Sequence, residues 1–374
     1  MTNAYSRAGV DVAAADRAVE LMKASVKSTL RPQVMAGLGG FAGLWDAADL
    51  KSYRSPVLAT STDGVGTKLA IAQALDVHGT IGFDLVGMVV DDIVVTGAKP
   101  LFMTDYIATG KVDPAKIAAV VAGIAAACAQ TGTALIGGET AEHPGVMRAD
   151  EYDVAGAAVG VVERDDLLTP DRATQGDVVL GLASSGLHSN GYSLVRAVID
   201  DLGWELAREV PEFGRSLGEE LLEPTRLYAP AVLKLAAALG PDLHGIAHVT
   251  GGGLASNLTR VLPPALGAVV SRAAWPVPPV FHVLHQAGHV AWADLERTLN
   301  LGVGMVAVVA PAALEDALAT LAGAGEQAAP IGRLALAADL QAEAANRQSA
   351  PADLVNAAKG ADGGAVLLID SYRE

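Results

Sequence analysis

Carboxylates beside glycine, or inside short apolar runs, are the first residues in this chain that could do chemistry. They are Asp63 in Thr62-Asp63-Gly64-Val65-Gly66-Thr67-Lys68, Asp91-Asp92 within the run from Val89 to Val95, Asp105 after Leu101–Thr104, and Glu139 in Gly137-Gly138-Glu139-Thr140. An acid inside an apolar element loses hydration that nothing restores unless a cation or a hydrogen-bond donor faces it. Magnesium carried on triphosphate oxygens takes one or two carboxylates per ion and keeps some of its waters. Acids gathered at strand ends would supply that site. Any one of them alone reads better as a cap, a turn residue or an ion-pair partner; the set together points to a cation-dependent phosphate site.

The stretch from Asp63 to Lys68 places two glycines between a carboxylate and a Thr-Lys pair. Glycine lets backbone N–H groups approach phosphate oxygens, and lysine adds a cationic contact. The spacing is not that of a Walker A loop. Upstream, Gly37-Leu38-Gly39-Gly40-Phe41-Ala42 satisfies a loose dinucleotide pattern but follows Arg31-Pro32-Gln33 rather than a buried strand, so a glycine-rich lid is the better reading. In the second half, Ser184-Ser185-Gly186-Leu187-His188-Ser189-Asn190-Gly191 joins a strand to a helix, and free N–H groups at a helix start attract anions. Ser189 and Asn190 suit a cap and a ligand contact, and His188 has the side chain suited to moving protons near neutral pH. Thr250-Gly251-Gly252-Gly253 offers a second anion nest, with Asn257 one turn into the helix that follows. His143, His244, His248, His282, His285 and His289 show no metal-ligand spacing.

The elements that must carry these groups are those of an α/β chain. Of 374 residues, 51% are hydrophobic and 18% charged, which excludes wholesale disorder and, by length, suggests two domains. The 26 Lys+Arg against 42 Asp+Glu leave a formal charge of −16, unsuited to general nucleic-acid or anionic-membrane binding. The single cysteine, Cys128, excludes an internal disulfide framework and a multi-cysteine metal site, and suggests a reducing, cytoplasmic setting. Met1–Val10 lacks a signal-peptide pattern. Ile117–Gly138 is uncharged and long enough to cross a bilayer, but Gln130-Thr131-Gly132-Thr133 divides it into an Ala-rich helix and a short strand.

Apolar runs and their punctuation predict strands over Val57–Ala59, Pro100–Tyr106, Ala134–Ile136 and Val154–Val162, with helices over Asp84–Val95 and Pro114–Gln130. The polar, Pro/Gly-punctuated stretch 163–177 reads as a boundary, giving domains 1–170 and 171–335. A strand over Val178–Ala183, a helix over Tyr192–Asp200 and a strand–glycine–helix unit over Ile246–Leu262 follow. The Ala-rich residues 336–374 are expected to form a loosely held tail with a final strand at Val366–Ile369.

Taken in order, these residues spell out a family. The stretches Asp63–Lys68, Asp105–Gly110, Gly137–Glu142, Tyr152–Gly156, His188–Ser193 and Thr250–Gly253 closely resemble those of aminoimidazole ribonucleotide synthetase, the phosphoribosylformylglycinamidine cyclo-ligase of purine synthesis. Gly9–Asp11, Pro224–Arg226, Arg297–Asn300 and Gly302–Met305 agree as well. The resemblance implies a two-domain α/β fold, an N-terminal sheet that pairs across a homodimer, and an ATP- and Mg²⁺-dependent closure of an imidazole ring from formylglycinamidine ribonucleotide. It assigns Asp63, Asp92 and Glu139 to the metal and Asp63, Gly64, Gly66, Thr67, Lys68, Asp105 and Glu139 to ATP. It assigns His188, Asp92 and Lys27 to catalysis, Lys27 closing with the Gly37–Gly43 lid. Ser185, His188, Ser189, Asn190, Gly191, Thr250, Gly251 and Gly252 fall to the substrate. Asp91 stands where the family usually has Asn, Leu187 where Pro commonly precedes His, and His143 replaces a usual Met. The lone Cys128, far from the glycine-rich stretch, argues against the related selenophosphate synthetases. A small-molecule kinase and a nucleotide-binding module without turnover are the other readings; ADP formation with each candidate substrate separates them.

Overall fold

The computed structural model describes residues 11–35, 40–347, 350, 353–358 and 362–373. The chain divides into two compact units, Met1–Val94 with Ala98–Asp165, and Val95–Gly97 with Asp166–Glu374.

In the first unit, β1 (Pro56–Gly64), β2 (Lys99–Thr109), β3 (Ala134–Glu142) and β4 (Tyr152–Glu163) form one sheet in the order β1-β4-β2-β3. β4 runs antiparallel to both β1 and β2, while β2 and β3 are parallel. A parallel pair needs a crossover, and α4 (Pro114–Thr131) supplies it; Asp113 caps its start and Gly132, at φ 68°, ends it. α1 (Val12–Ser28), the short α2 (Leu69–Leu75) and α3 (Ile81–Val94) complete the unit. Small residues set how closely α3 and α4 approach: a Cβ on Gly82 would lie 1.9 Å from the Ile124 nitrogen. Burial alternates along β2, with Met103 and Ile107 fully buried and Thr104 and Tyr106 on the exposed face. Cys128 is buried, its Sγ 3.3 Å from Met103 Sδ. α4 is the one helix, among the described residues, long and apolar enough to cross a membrane, and half of it is buried inside the protein.

The second unit is built on a sheet of β5 (Val178–Ala183), β8 (Leu243–His248), β9 (Leu266–Ser271), β10 (Val303–Val309), β11 (Ala328–Leu336), β12 (Leu354–Asn356) and β13 (Ala365–Ile369), in the order β12-β13-β9-β11-β5-β10-β8. A separate two-stranded ribbon pairs β6 (Glu209–Val210) with β7 (Arg215–Ser216). The helices are α5 (Tyr192–Leu202), α6 (Leu217–Leu221), α7 (Ala229–Leu239), α8 (Gly253–Thr259), α9 (Pro279–Gln286), α10 (Trp292–Glu296), α11 (Leu314–Gly323) and α12 (Ala337–Arg347). Every residue of β10 is buried, which is why Val303–Val309 is a continuous apolar run rather than an alternating one. Burying each Val or Leu side chain of such a core contributes roughly 1.5–3 kcal/mol.

The Ala-rich tail differs from expectation. Rather than hanging loosely, β13 pairs in parallel with β9, and Leu340 of α12, Val366 and Leu367 are fully buried. The reason is the edge of β9: its unpaired backbone groups and apolar face are covered by the returning chain. Low complexity hid the apolar Ala365–Ile369 run's partner, which is a strand about a hundred residues earlier.

Candidate active site

In the first unit, β-sheet register brings the sequence-predicted acids into relation. Asp63 of β1 and Asp105 of β2 each stand opposite Gly156 of β4, and Asp105 also stands opposite Gly138 of β3. They therefore share one cross-strand row and one face, the face covered by helices: a Cβ on Gly156 would lie 2.9 Å from Met103 Cε and 3.4 Å from Leu85 Cδ2. Gly138 is glycine for a local reason. Its Cβ would lie 1.8 Å from Asp105 Oδ1, so the carboxylate occupies the space a side chain would take.

Glu139 does not join them. It pairs with Tyr106, one residue along from the Asp105 row, and so projects from the opposite face. β1 and β3 are moreover the two edges of the sheet, three strand spacings or about 14 Å apart. Asp63 and Glu139 of one chain cannot hold the same ion, and among the described residues no group of three or more His, Cys, Asp or Glu gathers around a metal position. Asp63, Asp92 and Glu139, which the resemblance assigns to the metal, therefore do not form one cluster within a single chain among the described residues. Residue spacing along a strand sets the face, but only register shows which strands lie between.

Lys68 is the second correction. Read as a phosphate contact, it is fully buried, its Nζ 2.7 Å from Oδ1 of the equally buried Asp84. The single turn Gly66–Lys68 leads straight into α2 and turns the lysine toward α3. Asp63, Gly66 and Thr67 stay exposed, with Gly66 at φ 73° and Asp63 Oδ1 accepting the Gly64 N–H at 2.7 Å. Asp91 is completely buried on α3, two turns after Asp84 on the same stripe, whereas Asp92 is half-buried. Lys27 is exposed in the last turn of α1. Of the expected Gly37–Gly43 lid, Gly37–Gly39 lie outside the described residues. Asp11 and Glu142 act structurally: Asp11 caps α1, and Glu142 accepts the backbone N–H of Asp11 at 2.6 Å and of Val112 at 2.7 Å.

Asp105 borders a cavity of about 300 Å³ walled mainly by α1, Leu135 and Val121, with Asp16 and Gly137–Thr140 at its edge. Burial without a facing cation pushes its carboxyl up to about 7. The folded chain thus keeps this proton to a higher pH than the unfolded chain, and the group's contribution to stability is present below about pH 4 and lost as pH rises toward 7. Asp105→Asn is accordingly expected to gain stability relative to the parent between pH 5 and pH 8, read by denaturant unfolding at both values; an identical difference at the two pH values would remove Asp105 as the titrating group.

In the second unit, the two loops singled out in the sequence meet. Asn190 Oδ1 lies 3.4 Å from where a Cβ on Gly251 would stand. His188 is 2% exposed, adopts φ 62°, and accepts the Ser185 N–H on Nε2 at 3.2 Å. That backbone conformation is costly for a non-glycine residue and persists only where its surroundings enforce it. Ser189 is buried, and Ser185 donates its hydroxyl to the Pro224 carbonyl at 2.6 Å. Gly191 starts α5 at φ 79°, and Gly252 precedes α8 at φ 99°. Asn257 ties the second loop by donating to the Gly253 carbonyl at 2.9 Å.

Three supporting residues lay outside the site read from sequence. Asn300 donates to the carbonyls of Gly186 at 2.9 Å and Leu187 at 3.1 Å and accepts from Ser184 and Gly302. Tyr228 donates to the Ala183 carbonyl at 2.8 Å and packs against the His188 ring. Gly304 leaves room for both, since a Cβ there would fall 2.3 Å from Tyr228 Oη and 2.4 Å from His188 Cε1. Asn300 and Gly304 were visible only as parts of matching stretches, with nothing local to reveal the loop they hold.

Comparison with known proteins places this arrangement. Residues 46–162 match the N-terminal domain of AIR synthase related proteins, and residues 174–342 match their C-terminal domain. The thiamine-monophosphate kinase of Stenotrophomonas maltophilia superposes with TM-score 0.61 at 21% identity, covering 85% of this chain and 93% of that one. HypE of E. coli, a hydrogenase maturation protein, does so with TM-score 0.60 at 21% identity, covering 84% and 89%. These two share the fold, and fold and matched domains together define an AIR synthase related protein. The chain is 50% identical over 334 residues to the phosphoribosylformylglycinamidine cyclo-ligase of Desulfitobacterium hafniense, spanning 89% of this chain and 97% of that enzyme. It is 49% identical over 335 residues to the Brevibacillus brevis enzyme of the same name, spanning 89% and 96%. The chain belongs to the phosphoribosylformylglycinamidine cyclo-ligase family.

Proposed function

We propose that the protein closes the imidazole ring of aminoimidazole ribonucleotide from formylglycinamidine ribonucleotide, using ATP and releasing ADP and phosphate. The observation that carries this reading is the 50% identity maintained over 97% of a cyclo-ligase's length. The formyl oxygen leaves poorly as it stands. Transfer of the terminal phosphoryl group to it makes a good leaving group, the neighbouring amidine nitrogen attacks the activated carbon, and phosphate departs. Such a transfer depends on alignment and charge neutralisation more than on covalent help from the protein.

Separate aspartates with access to water fit a magnesium ion that arrives on phosphate and takes one or two carboxylates; a three-acid cage is not required. Asp63 and Asp92 are the residues we assign to it, and when bound the ion would neutralise charge on the phosphoryl oxygens. Gly64, Gly66 and Thr67 offer backbone and hydroxyl donors to phosphate, with Lys27 as an exposed cation, while Lys68 holds the framework beneath them. His188, Ser185, Ser189, Asn190, Gly191 and Thr250–Gly252 are assigned to the ribonucleotide, and His188 to moving a proton. A homodimer formed through the β1-β4-β2-β3 sheet is supported by its outer face, on which Leu58 is 60% and Tyr106 43% exposed. In a cytoplasmic, reducing setting the buried Cys128 would stay a thiol, its ionisation pushed up by burial.

The purified protein is expected to form ADP only when formylglycinamidine ribonucleotide accompanies ATP. ADP release with ATP alone would mean hydrolysis uncoupled from ring closure, and phosphorylation of another small molecule to a stable product would replace the cyclo-ligase reading by a kinase one.

A further inference from the structure

Beyond residue 342, where the matched C-terminal domain stops, the tail contributes Asp353, Asp370 and Tyr372 to a knot of charged and aromatic side chains around Arg272 and Glu296. Arg272, just after β9, grips both carboxylate oxygens of Glu296, reaches Asp353 Oδ1 at 2.7 Å, and donates to the Asp370 carbonyl at 3.3 Å. Tyr372 donates its hydroxyl to Glu296 Oε1 at 2.8 Å. The Tyr372 ring packs against two indoles, with centroids 5.9 Å from Trp275 and 4.9 Å from Trp292. Trp275 in turn donates its N–H to the Leu301 carbonyl at 2.9 Å. The side chains of Arg272 and Glu296 are only 11% and 10% exposed, so these charge-assisted bonds are shielded from water.

The segment from Glu296 to Leu301 thus has the tail on one side. On its other side it touches both ligand loops. A Cβ on Gly253 would fall 1.7 Å from the Glu296 carbonyl oxygen, and one on Gly191 would fall 2.3 Å from Leu299 Cδ2. Asn300, in the same segment, holds the carbonyls of Gly186 and Leu187. Backbone packed this closely leaves the loops little freedom that the segment does not also have.

We propose that Asp353, Asp370 and Tyr372 of the tail are positioning residues for the ribonucleotide site, acting through Arg272 and Glu296 on the 184–191 and 250–253 loops. The link to the ribonucleotide rests on the substrate assignment made above. The coupling itself is independent of it.

Two full-length variants test this. Arg272→Lys keeps the charge but loses the planar fork that grips two carboxylates; Tyr372→Phe keeps the ring and loses one bond to Glu296. In Arg272→Lys, amide hydrogen exchange across 185–191 and 250–254 is expected to rise about tenfold or more while β8 and β10 keep their protection. The KM for formylglycinamidine ribonucleotide is expected to rise about tenfold, with the KM for ATP within about twofold, as displaced loops misplace the substrate. Tyr372→Phe shifts the same quantities in the same direction by less. Unchanged exchange in the two loops overturns the coupling, and so does a uniform loss of protection throughout the second unit. Loosened loops with an unaltered ribonucleotide KM overturn the link to substrate. A parent enzyme that does not turn over this ribonucleotide sinks the functional reading instead, and the exchange pattern still decides the coupling.

Discussion

Asp84→Asn is expected to cost about 3–5 kcal/mol of stability, because it leaves the ammonium of Lys68 in a buried site without its facing carboxylate. Both side chains are 0% exposed and their charged atoms lie 2.7 Å apart. The Coulombic attraction at that distance in a low-dielectric interior compensates two large desolvation costs, and removing one charge withdraws that compensation from the other. The change is nearly isosteric, so lost packing contributes little. Lys68→Met should cost a comparable amount by removing the ammonium that faces Asp84. Denaturant unfolding followed by circular dichroism measures both; a loss below about 1 kcal/mol in either would mean the pair is not the buried ionic lock described here. The distinction bears on function. A lysine in contact with ATP would affect KM for ATP with little change in stability, whereas a lysine beneath the glycine turn affects stability first.

The largest effect on activity is expected at Asp92. Asp92→Ala should lower turnover on the order of a thousandfold or more, since it removes a carboxylate assigned to hold the ion that would neutralise phosphoryl charge where it develops. The half-buried position of Asp92 on α3 gives it access to solvent while Asp91, next to it, is sealed inside. The variant should therefore fold like the parent, with an unchanged melting temperature within a few degrees. Turnover close to that of the parent at saturating Mg²⁺ would refute the assignment. Asp91→Asn, which restores the residue more usual in the family, provides the contrast: it alters a sealed carboxylate rather than an accessible one.

The strands and helices were largely legible in the residues. Val178–Ala183 forms the expected strand, and the helix expected over Pro114–Gln130 extends by one residue, because its start is marked by Asp113-Pro114 and its end by Gly132. The two loops rich in glycine, serine and asparagine were legible as strand-to-helix connections as well, though not that they adjoin. Less legible was each group's surroundings. Glu139 is one residue from Gly138, yet falls on the other face from Asp105 and at the far edge from Asp63. Asn300 reads as an ordinary loop residue until its amide is seen bridging two carbonyls more than a hundred positions away.

What the sequence determined alone was a matter of short range: periodicity, caps, the residue types gathered in each loop and membership of a family through many agreeing stretches. Those follow from interactions spanning a few residues, which a linear reading contains. The tertiary structure decided the sealing of Lys68 against Asp84, the separation of Glu139 from Asp63, and the return of the tail onto β9. Each depends on which strands and helices become neighbours, and that is fixed by burial of apolar faces summed over a whole unit. No local pattern around Ala365–Ile369 reports that sum.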